Sequence, residues 1–229
     1  MKFTPYYLLS LLLLAGCASS LPEPKLDPPV DYDAALVAEQ GLFLYWTQEQ
    51  QKEVLKAADR FVGNQQHVYQ TSYRWQSGTL REILRIGSRE QQTQQEYRLH
   101  LRFNQDGEAI YQQYRVADKV APLTSAQMQF YFQQAMQVAP KVREKVAEKQ
   151  QWRQGWWDGK TFSVCDGKSN SVVLMPQAKT QLEQLAWHTF PVYVIWEGER
   201  QVNQFQATQL LWWSYEAQDC LTQPELIEQ

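Results

Sequence analysis

Apolar and polar residues alternate along four successive segments in the first half of the chain. The clearest is 97–103, where large apolar residues alternate with Arg98, His100 and Arg102. A period of two is typical of a strand with one buried face. Similar patterns predict further strands at 69–75, 80–86 and 110–116. The connections, such as the turn Asp106-Gly107, are too short for parallel crossovers, so we predict an antiparallel meander.

Two segments carry helix signals. Thr124 and Gln127 have the spacing of a capping box, and apolar residues follow at helical intervals to about Lys149. We expect this long helix to cover one face of the sheet, with a kink or break at Pro140. The same box spacing predicts a second helix over 48–61, directly after a buried apolar strand at 41–46.

Strand signals return in the C-terminal part of the chain. After the turn Asp158-Gly159, strands are predicted at 161–165, 171–175, 192–197 and 202–213, with a short helix near 179–185. The predicted fold class is therefore α+β, an antiparallel β-meander packed with a long helix and followed by a small curled C-terminal β unit. An OB-like barrel is one form of such a unit. We expect an α+β meander region at 41–150 and a C-terminal β-rich region at 151–229, either separate or continuous with it.

The N-terminal residues have the pattern of a lipoprotein signal peptide. Lys2 precedes an apolar stretch that is too short to span a bilayer, which takes about 20 residues. The stretch ends in Leu14-Ala15-Gly16-Cys17, which resembles the lipobox of bacterial lipoproteins. That resemblance implies a signal peptide over 1–16 and lipidation of Cys17. A plain cleaved signal and a short uncleaved anchor are the alternatives.

The predicted anchor determines the expected location. Several acyl chains on Cys17 hold a protein stably at a membrane, which is the partner this residue implies. Ala18 stands where an aspartate would indicate retention in the inner membrane. We therefore expect the outer membrane, with the body in the periplasm and exposure at the cell surface as the alternative. Residues 17–40 are predicted to form the lipidated cysteine and a flexible tether, rich in Ser and Pro.

The remaining cysteines, Cys165 and Cys220, are predicted to form a disulfide. The periplasm is oxidising, and their spacing does not fit a CxxC redox motif. The bond would attach the C-terminal tail to the body of the protein.

Charge suggests one candidate binding face. The chain has a formal charge of −3, or −4 once Lys2 is removed with the signal, which argues against a nucleic-acid partner. A predicted sheet face nonetheless carries basic side chains that suit an anionic partner, namely Arg98, His100, Arg102 and Arg115. Arg74, Arg81 and Arg85 lie on neighbouring predicted strands. The alternative is a solvated face balanced by nearby glutamates.

Paired tryptophans suggest a second candidate contact. Adjacent strand residues point to opposite faces, so Trp156-Trp157 and Trp212-Trp213 cannot each enter a single core. Trp157 and Trp213 are the candidates for contact with a sugar ring or a partner. Packing in a second buried layer is the alternative.

No catalytic motif is apparent. The three histidines are far apart and lack metal-site spacing, and neither a GxSxG elbow nor a P-loop occurs. We therefore expect no enzyme activity, no cofactor and no metal.

Three strings together resemble a known family. These are Phe103–Arg115, Trp157–Phe162 with Cys165-Asp166-Gly167, and the tail from Asp219-Cys220-Leu221 to Glu228. They are similar to the YjaH-like lipoproteins of gammaproteobacteria, which share a domain of unknown function (family 1481). The resemblance supports the lipoprotein interpretation and the importance of the two cysteines. It brings no activity or catalytic residue.

The leading functional hypothesis is a non-enzymatic binding or accessory factor of the bacterial envelope, with an envelope protein as partner. A carbohydrate- or peptidoglycan-binding module that uses exposed tryptophans is the second hypothesis. A hydrolase with an unrecognised site is the third, and it would require two carboxylates, or a histidine and a carboxylate, in a cleft.

Overall fold

The structure is a computed structural model, and it describes residues 27–63, 67–91, 93–117, 119–165, 171–184, 191–202, 204–216 and 219–228. The predicted signal peptide, Cys17 and residues 18–26 of the predicted tether lie outside these ranges, as do Asp166-Gly167 and His188.

Eight strands form the first sheet, which we call the meander sheet. They lie side by side in chain order, and each pairs antiparallel with the next. The strands are β1 (Val30–Ala38), β2 (Gly41–Gln50), β3 (Glu53–Gly63), β4 (Val68–Gln76), β5 (Thr79–Gln91), β6 (Thr93–Phe103), β7 (Ala109–Val116) and β8 (Lys119–Ala121). The strand predicted at 41–46 and the antiparallel meander predicted over 69–116 are both confirmed.

The helix predicted over 48–61 is wrong. This segment is the end of β2, a two-residue turn and most of β3. Gln51 and Lys52 have φ values of 50° and 69°, and positive φ at both positions is typical of tight hairpin turns. The alternation was hidden because β3 packs on both sides, with Ala57 in one core cluster and Ala58 in another.

The flexible tether predicted for 17–40 ends earlier than expected. Val30–Ala38 is β1, which pairs with β2 from Val30↔Glu49 to Ala38↔Gly41. The polar residues of β1 obscured its pattern, although Ala34 and Ala35 are buried on opposite faces.

The long helix, α1 (Ser125–Ala147), confirms the helix predicted from Thr124 to about Lys149. Thr124 is its N-cap, and the capping box with Gln127 is complete. The helix continues through Pro140 instead of breaking there. One side of α1 packs on the meander sheet through Tyr131, Ala135, Val138 and Val142.

Five strands form the second sheet, which we call the C-terminal sheet. It is a curled half-barrel with the order β10-β9-β12-β13-β11. Its elements are β9 (Gln151–Trp157), β10 (Phe162–Val164), β11 (Ser171–Leu174), α2 (Pro176–Gln184), β12 (Val192–Arg200) and β13 (Gln204–Ser214). The curled sheet and the intervening helix agree with the predicted C-terminal β unit. The further likeness to an OB barrel stays a prediction.

The two sheets share a hydrophobic core. Leu42, Leu44 and Trp46 of the meander sheet pack with Trp152 and Ile195 of the C-terminal sheet. The remaining core clusters lie under α1 and between the C-terminal sheet and α2. The C-terminal sheet thus covers β1–β3 on the side opposite α1, and the corresponding face of β5–β7 carries exposed side chains.

The predicted disulfide between Cys165 and Cys220 is present. It attaches the C-terminal tail to the C-terminal sheet, where the backbone N–H of Leu221 donates to Gln154 Oε1 and its carbonyl accepts from Gln154 Nε2. Leu221 and Leu226 pack against the core that the two sheets share.

Candidate functional site

The predicted basic side chains lie together on one surface, which we call the outer face. It is the side of β4–β7 that points away from α1. The strand register places these outer-face residues side by side: Arg74, Glu82, Leu84, Ile86, Glu96, Arg98, His100, Arg102, Tyr111, Gln113 and Arg115. Tyr97, Leu99 and Leu101, which alternate with the basic residues of β6, are buried on the other side of the sheet. The predicted alternation of buried apolar and outward basic side chains in this strand is therefore confirmed.

Two arginines of the outer face are direct neighbours. Arg98 of β6 and Arg115 of β7 are partners in the antiparallel register, and both are exposed. Like charges at such positions are destabilising, because the side chains share one face at close range. Among the described residues, no carboxylate lies within salt-bridge distance of either guanidinium. The pair is therefore an uncompensated positive site.

A second part of the outer face is internally paired. Glu82 Oε2 accepts from Arg74 Nη2 at 2.9 Å, and Glu82 Oε1 lies 2.7 Å from His100 Nε2. Partial burial opposes ionisation of Glu82, but hydrogen bonds from Arg74 and His100 outweigh it and lower the pKa of Glu82. This network uses His100 and one of the two glutamates of the face.

The outer face also exposes apolar area. Leu84 is 36% exposed, Ile86 43% and Tyr111 41%, and Ile86 is the register partner of Arg98. Apolar and aromatic side chains beside arginines are typical of protein–protein contact surfaces.

Arg85 lies on a neighbouring strand as expected but does not join this face. Arg85 lies two positions after Ile83 in β5, so both side chains point to the α1 side of the sheet. The Arg85 side chain is buried between the sheet and α1. The Arg85 Nε donates to Thr71 Oγ1 at 2.7 Å, and its Nη2 donates to Gln134 Oε1 at 2.9 Å. The guanidinium carbon lies 3.9 Å above the centre of the Tyr69 ring.

A buried carboxylate partners Arg85. Asp59 of β3, 3% exposed, accepts from the Tyr73 hydroxyl at 2.8 Å, and its Oδ2 lies 3.9 Å from Arg85 Nη2. Burial raises the pKa of Asp59, against the opposing influence of Arg85. Burial disfavours the charged guanidinium of Arg85, but Tyr73 and Asp59 outweigh it and raise its pKa. Asp59 Oδ1 is buried without a hydrogen-bond partner.

A cavity of about 280 Å³ lies beside this carboxylate, between α1 and strands β2–β4. Aromatic residues of the sheet, Asp59 and residues of α1 line it. The lining residues are Phe43, Tyr45, Asp59, Tyr69, Phe130, Gln133, Gln134, Gln137 and Lys141.

This cluster is not among the sites predicted from the sequence. The available signal was the position of Asp59 between the apolar residues Ala57 and Phe61, which marks an inward charge once 53–63 is taken as a strand. The mistaken helix concealed that alternation. The sequence places Arg85 on a strand next to the outward arginines but does not show that its side chain points inward.

The tryptophan pairs divide between the two faces of the C-terminal sheet. Trp156 packs in the core shared by the sheets, and Trp157 packs on the cluster beneath α2. Trp212 likewise faces the shared core, whereas Trp213 is 37% exposed. Trp213 meets the Tyr215 ring edge to face, at 72° between the planes, so these two rings do not form a flat stacking platform.

Within the described part of the chain, no group of three metal-ligating side chains is assembled. The helices described there are also too short or too polar to cross a membrane. A histidine and a carboxylate do meet, as His100 and Glu82, but they lie on the open outer face.

The family described as "Protein of unknown function (DUF1481)" matches residues 34–225. The chain belongs to this family. The DUF1481 match includes the outer face, the Asp59 cluster and both disulfide cysteines. The predicted membership of family 1481 is thus confirmed. No curated protein and no solved structure matches the chain significantly.

Proposed function

We propose that this DUF1481 protein is a non-enzymatic binding factor of the bacterial envelope, held at the outer membrane through lipidated Cys17. In this proposal, its body lies in the periplasm and docks an acidic protein partner on the outer face. The carrying observation is the adjacent pair Arg98 and Arg115, exposed and uncompensated among the described residues.

Charge complementarity supports an acidic partner. The outer face carries Arg74, Arg98, Arg102 and Arg115 against Glu82 and Glu96, although the whole chain is negative. Glu82 is already paired with Arg74 and His100. Carboxylates of a partner would relieve the repulsion between Arg98 and Arg115 and form bidentate hydrogen bonds with them.

The apolar side chains favour a folded protein over a lipid surface as partner. Leu84 and Ile86 on β5 and Tyr111 on β7 flank the basic side chains of β6 on the same sheet surface. A protein interface buries such side chains at its centre and places charged groups around them. A bilayer surface would be contacted mainly through the charges and through the separate lipid anchor.

Position-dependent photo-crosslinking in intact cells tests this proposal. The full chain would carry a photoreactive phenylalanine analogue at Ile86 or Arg102, with control probes at Val202 and Met136, which are exposed elsewhere. We expect one discrete protein adduct from the outer-face probes, absent from the controls. Adducts of equal yield at all four positions, or none at Ile86 and Arg102, would contradict the docking surface.

A further inference from the structure

A groove lies between the outer face and the C-terminal tail, and we call it the tail groove. Its volume is about 360 Å³, which is within the range of ligand pockets. The Ser72 hydroxyl of β4 donates to the Glu225 carbonyl at 2.6 Å and so holds the tail on this side of the sheet. Val68 is 40% exposed and Ile86 43%, so the apolar lining is open to a partner. The main lining residues are Arg60, Val62, Val68, Gln70, Ile86 and Leu221.

One row of register partners connects this groove to the exposed arginine pair. Arg60 pairs with Gln70, and Gln70 pairs with Ile86. Ile86 pairs in turn with Arg98, and Arg98 with Arg115. Because neighbouring strands lie about 4.8 Å apart, Arg60 and Arg98 are separated by about 14 Å along the row. The tail groove and the arginine pair therefore form one continuous surface that shares Ile86.

Arg60 provides a positive charge at the far end of this row. It alternates with Ala58 and Val62, which pack on the core shared by the two sheets. Its Nη2 donates to Gln70 Oε1 at 2.8 Å, and no carboxylate of the described chain lies within 4 Å of its guanidinium. Burial lowers the pKa of Arg60. A half-buried guanidinium without a counter-charge favours a carboxylate as its ligand.

Glu96 is the one carboxylate among the described residues that line the groove. It is the register partner of Ser88, in the row next to that of the arginines, and it is exposed. Three strands separate it from Arg60, so it does not neutralise that guanidinium. Its repulsion of other carboxylates confines the acidic groups of a partner to the arginine row.

The spacing of the row fits an extended segment. Side chains at positions i, i+2 and i+4 of a strand point to the same side, and four residues span about 13 Å. That span matches the separation of Arg60 and Arg98 and places position i+2 over the apolar lining. A helix rises about 1.5 Å per residue, so helical residues about 14 Å apart are about nine positions apart and point to opposite sides.

We propose that the outer face recognises an extended acidic segment of its protein partner, with carboxylates at positions i and i+4 and an apolar side chain at i+2. The first carboxylate accepts from Arg60, and the second accepts from Arg98 and Arg115. The apolar side chain fills the tail groove against Val68 and Ile86. This inference rests on the proposed docking function and specifies the chemistry of the docked segment.

A peptide titration followed by methyl NMR tests this motif. The full chain in detergent, with labelled isoleucine and valine methyl groups, would be titrated with the blocked peptide Gly-Glu-Ser-Leu-Ser-Glu-Gly. We expect saturable shifts of the Val62, Val68 and Ile86 signals with a Kd of about 1 mM, and no shift of Val202, which is 95% exposed elsewhere. Serine in place of the leucine should weaken binding about tenfold, and lysine in place of both glutamates should abolish it. Equal shifts with the lysine peptide would overturn the motif.

A matched pair of variants tests the role of Arg60. Arg60→Gln removes the charge and should weaken binding of the glutamate peptide about fivefold. Lys119→Gln makes the same charge change at an exposed position of β8 and should leave binding unchanged. Circular dichroism checks that both variants are folded. Equal binding by the two variants would overturn the assignment of Arg60.

The peptide result is distinguishable from the result of photo-crosslinking in cells. If the glutamate peptide shifts no groove signal at about 10 mM, and the outer-face probes still give a partner adduct, the extended motif is wrong and the docking proposal stands. If the outer-face probes give no adduct, the docking proposal is wrong, and this inference is overturned with it.

Discussion

Asp59 and Arg85 lie two strands apart in the meander sheet, and their side chains approach each other beside Thr71, which pairs with both in the strand register. The carboxylate and the guanidinium are each about 4% exposed, so α1 covers a nearly dry ion pair. Desolvation offsets much of the attraction in such pairs, and the loss of one partner leaves an uncompensated buried charge. The pair therefore makes stability sensitive to the protonation of Asp59.

Asp59→Asn should change the pH dependence of unfolding. Burial raises the pKa of Asp59 in the folded state, so above about pH 4 the unfolded chain releases this proton first. The free energy of unfolding of the wild type, relative to Asp59→Asn, should therefore fall as pH rises toward the folded-state pKa. Urea denaturation across this pH range measures the difference. The exposed Asp106→Asn is the control and should follow the wild type in parallel. A difference that increases with pH would refute this assignment.

Loss of the disulfide should destabilise the protein by about 4 kcal/mol, because the bond closes a loop over a sequence separation of 55 residues. The double variant Cys165→Ser/Cys220→Ser should reproduce the effect of a reductant on the wild type and should not respond to reductant itself. Hydrogen exchange should increase first in the tail around Leu221, whose backbone bonds Gln154. An unchanged denaturation midpoint in reductant would contradict this role.

Thr124→Ala should lower the free energy of unfolding by about 1 kcal/mol, because it removes one half of the capping box. The Thr124 hydroxyl accepts from the Gln127 N–H at 3.2 Å, and the Gln127 side chain accepts from the Thr124 N–H at 2.9 Å. Ser125→Ala, at the next position, should change stability by less than about 0.5 kcal/mol. Chemical denaturation of the two variants compares them directly. Equal losses would show that the capping box does not stabilise α1.

Local patterns predicted those elements that have one buried face. The alternation in 97–103 and the capping box at Thr124 each correspond to a single dominant physical effect, half-burial and satisfaction of backbone donors. β3 was missed because both of its faces are buried, which removes the period of two. The spacing of Thr47 and Gln50, near the end of β2, imitates the capping box of a helix start.

Of the candidate sites, too, one could be predicted from a local pattern and the other could not. The outer arginines of β6 could be predicted, since they alternate with a continuous apolar set. The buried pair could not, because Asp59 and Arg85 are 26 positions apart and meet only through the register of three strands and the cover of α1. Sequence alone also cannot show which oxygen of Asp59 lacks a donor.

Cys17→Ser should release the protein from the membrane. A multiply acylated cysteine anchors stably, whereas an unmodified chain depends on its other contacts. Labelled palmitate should enter the wild type and the control Ser19→Ala, and it should be absent from Cys17→Ser. In cell fractionation, only the Cys17→Ser variant should be recovered in the soluble envelope fraction. Label that persists in Cys17→Ser would exclude this residue as the site of lipidation.

Docking of an acidic partner on the outer face should depend on the positive charges of Arg98 and Arg115. A photoreactive probe at Ile86 would be combined with Arg98→Glu/Arg115→Glu, or with the control Lys149→Glu/Arg200→Glu, which makes the same charge change at exposed positions elsewhere. We predict that the adduct yield in intact cells falls about tenfold in the first variant and is unchanged in the control. An equal yield in the two variants, each verified as folded, would contradict an acidic partner on the outer face.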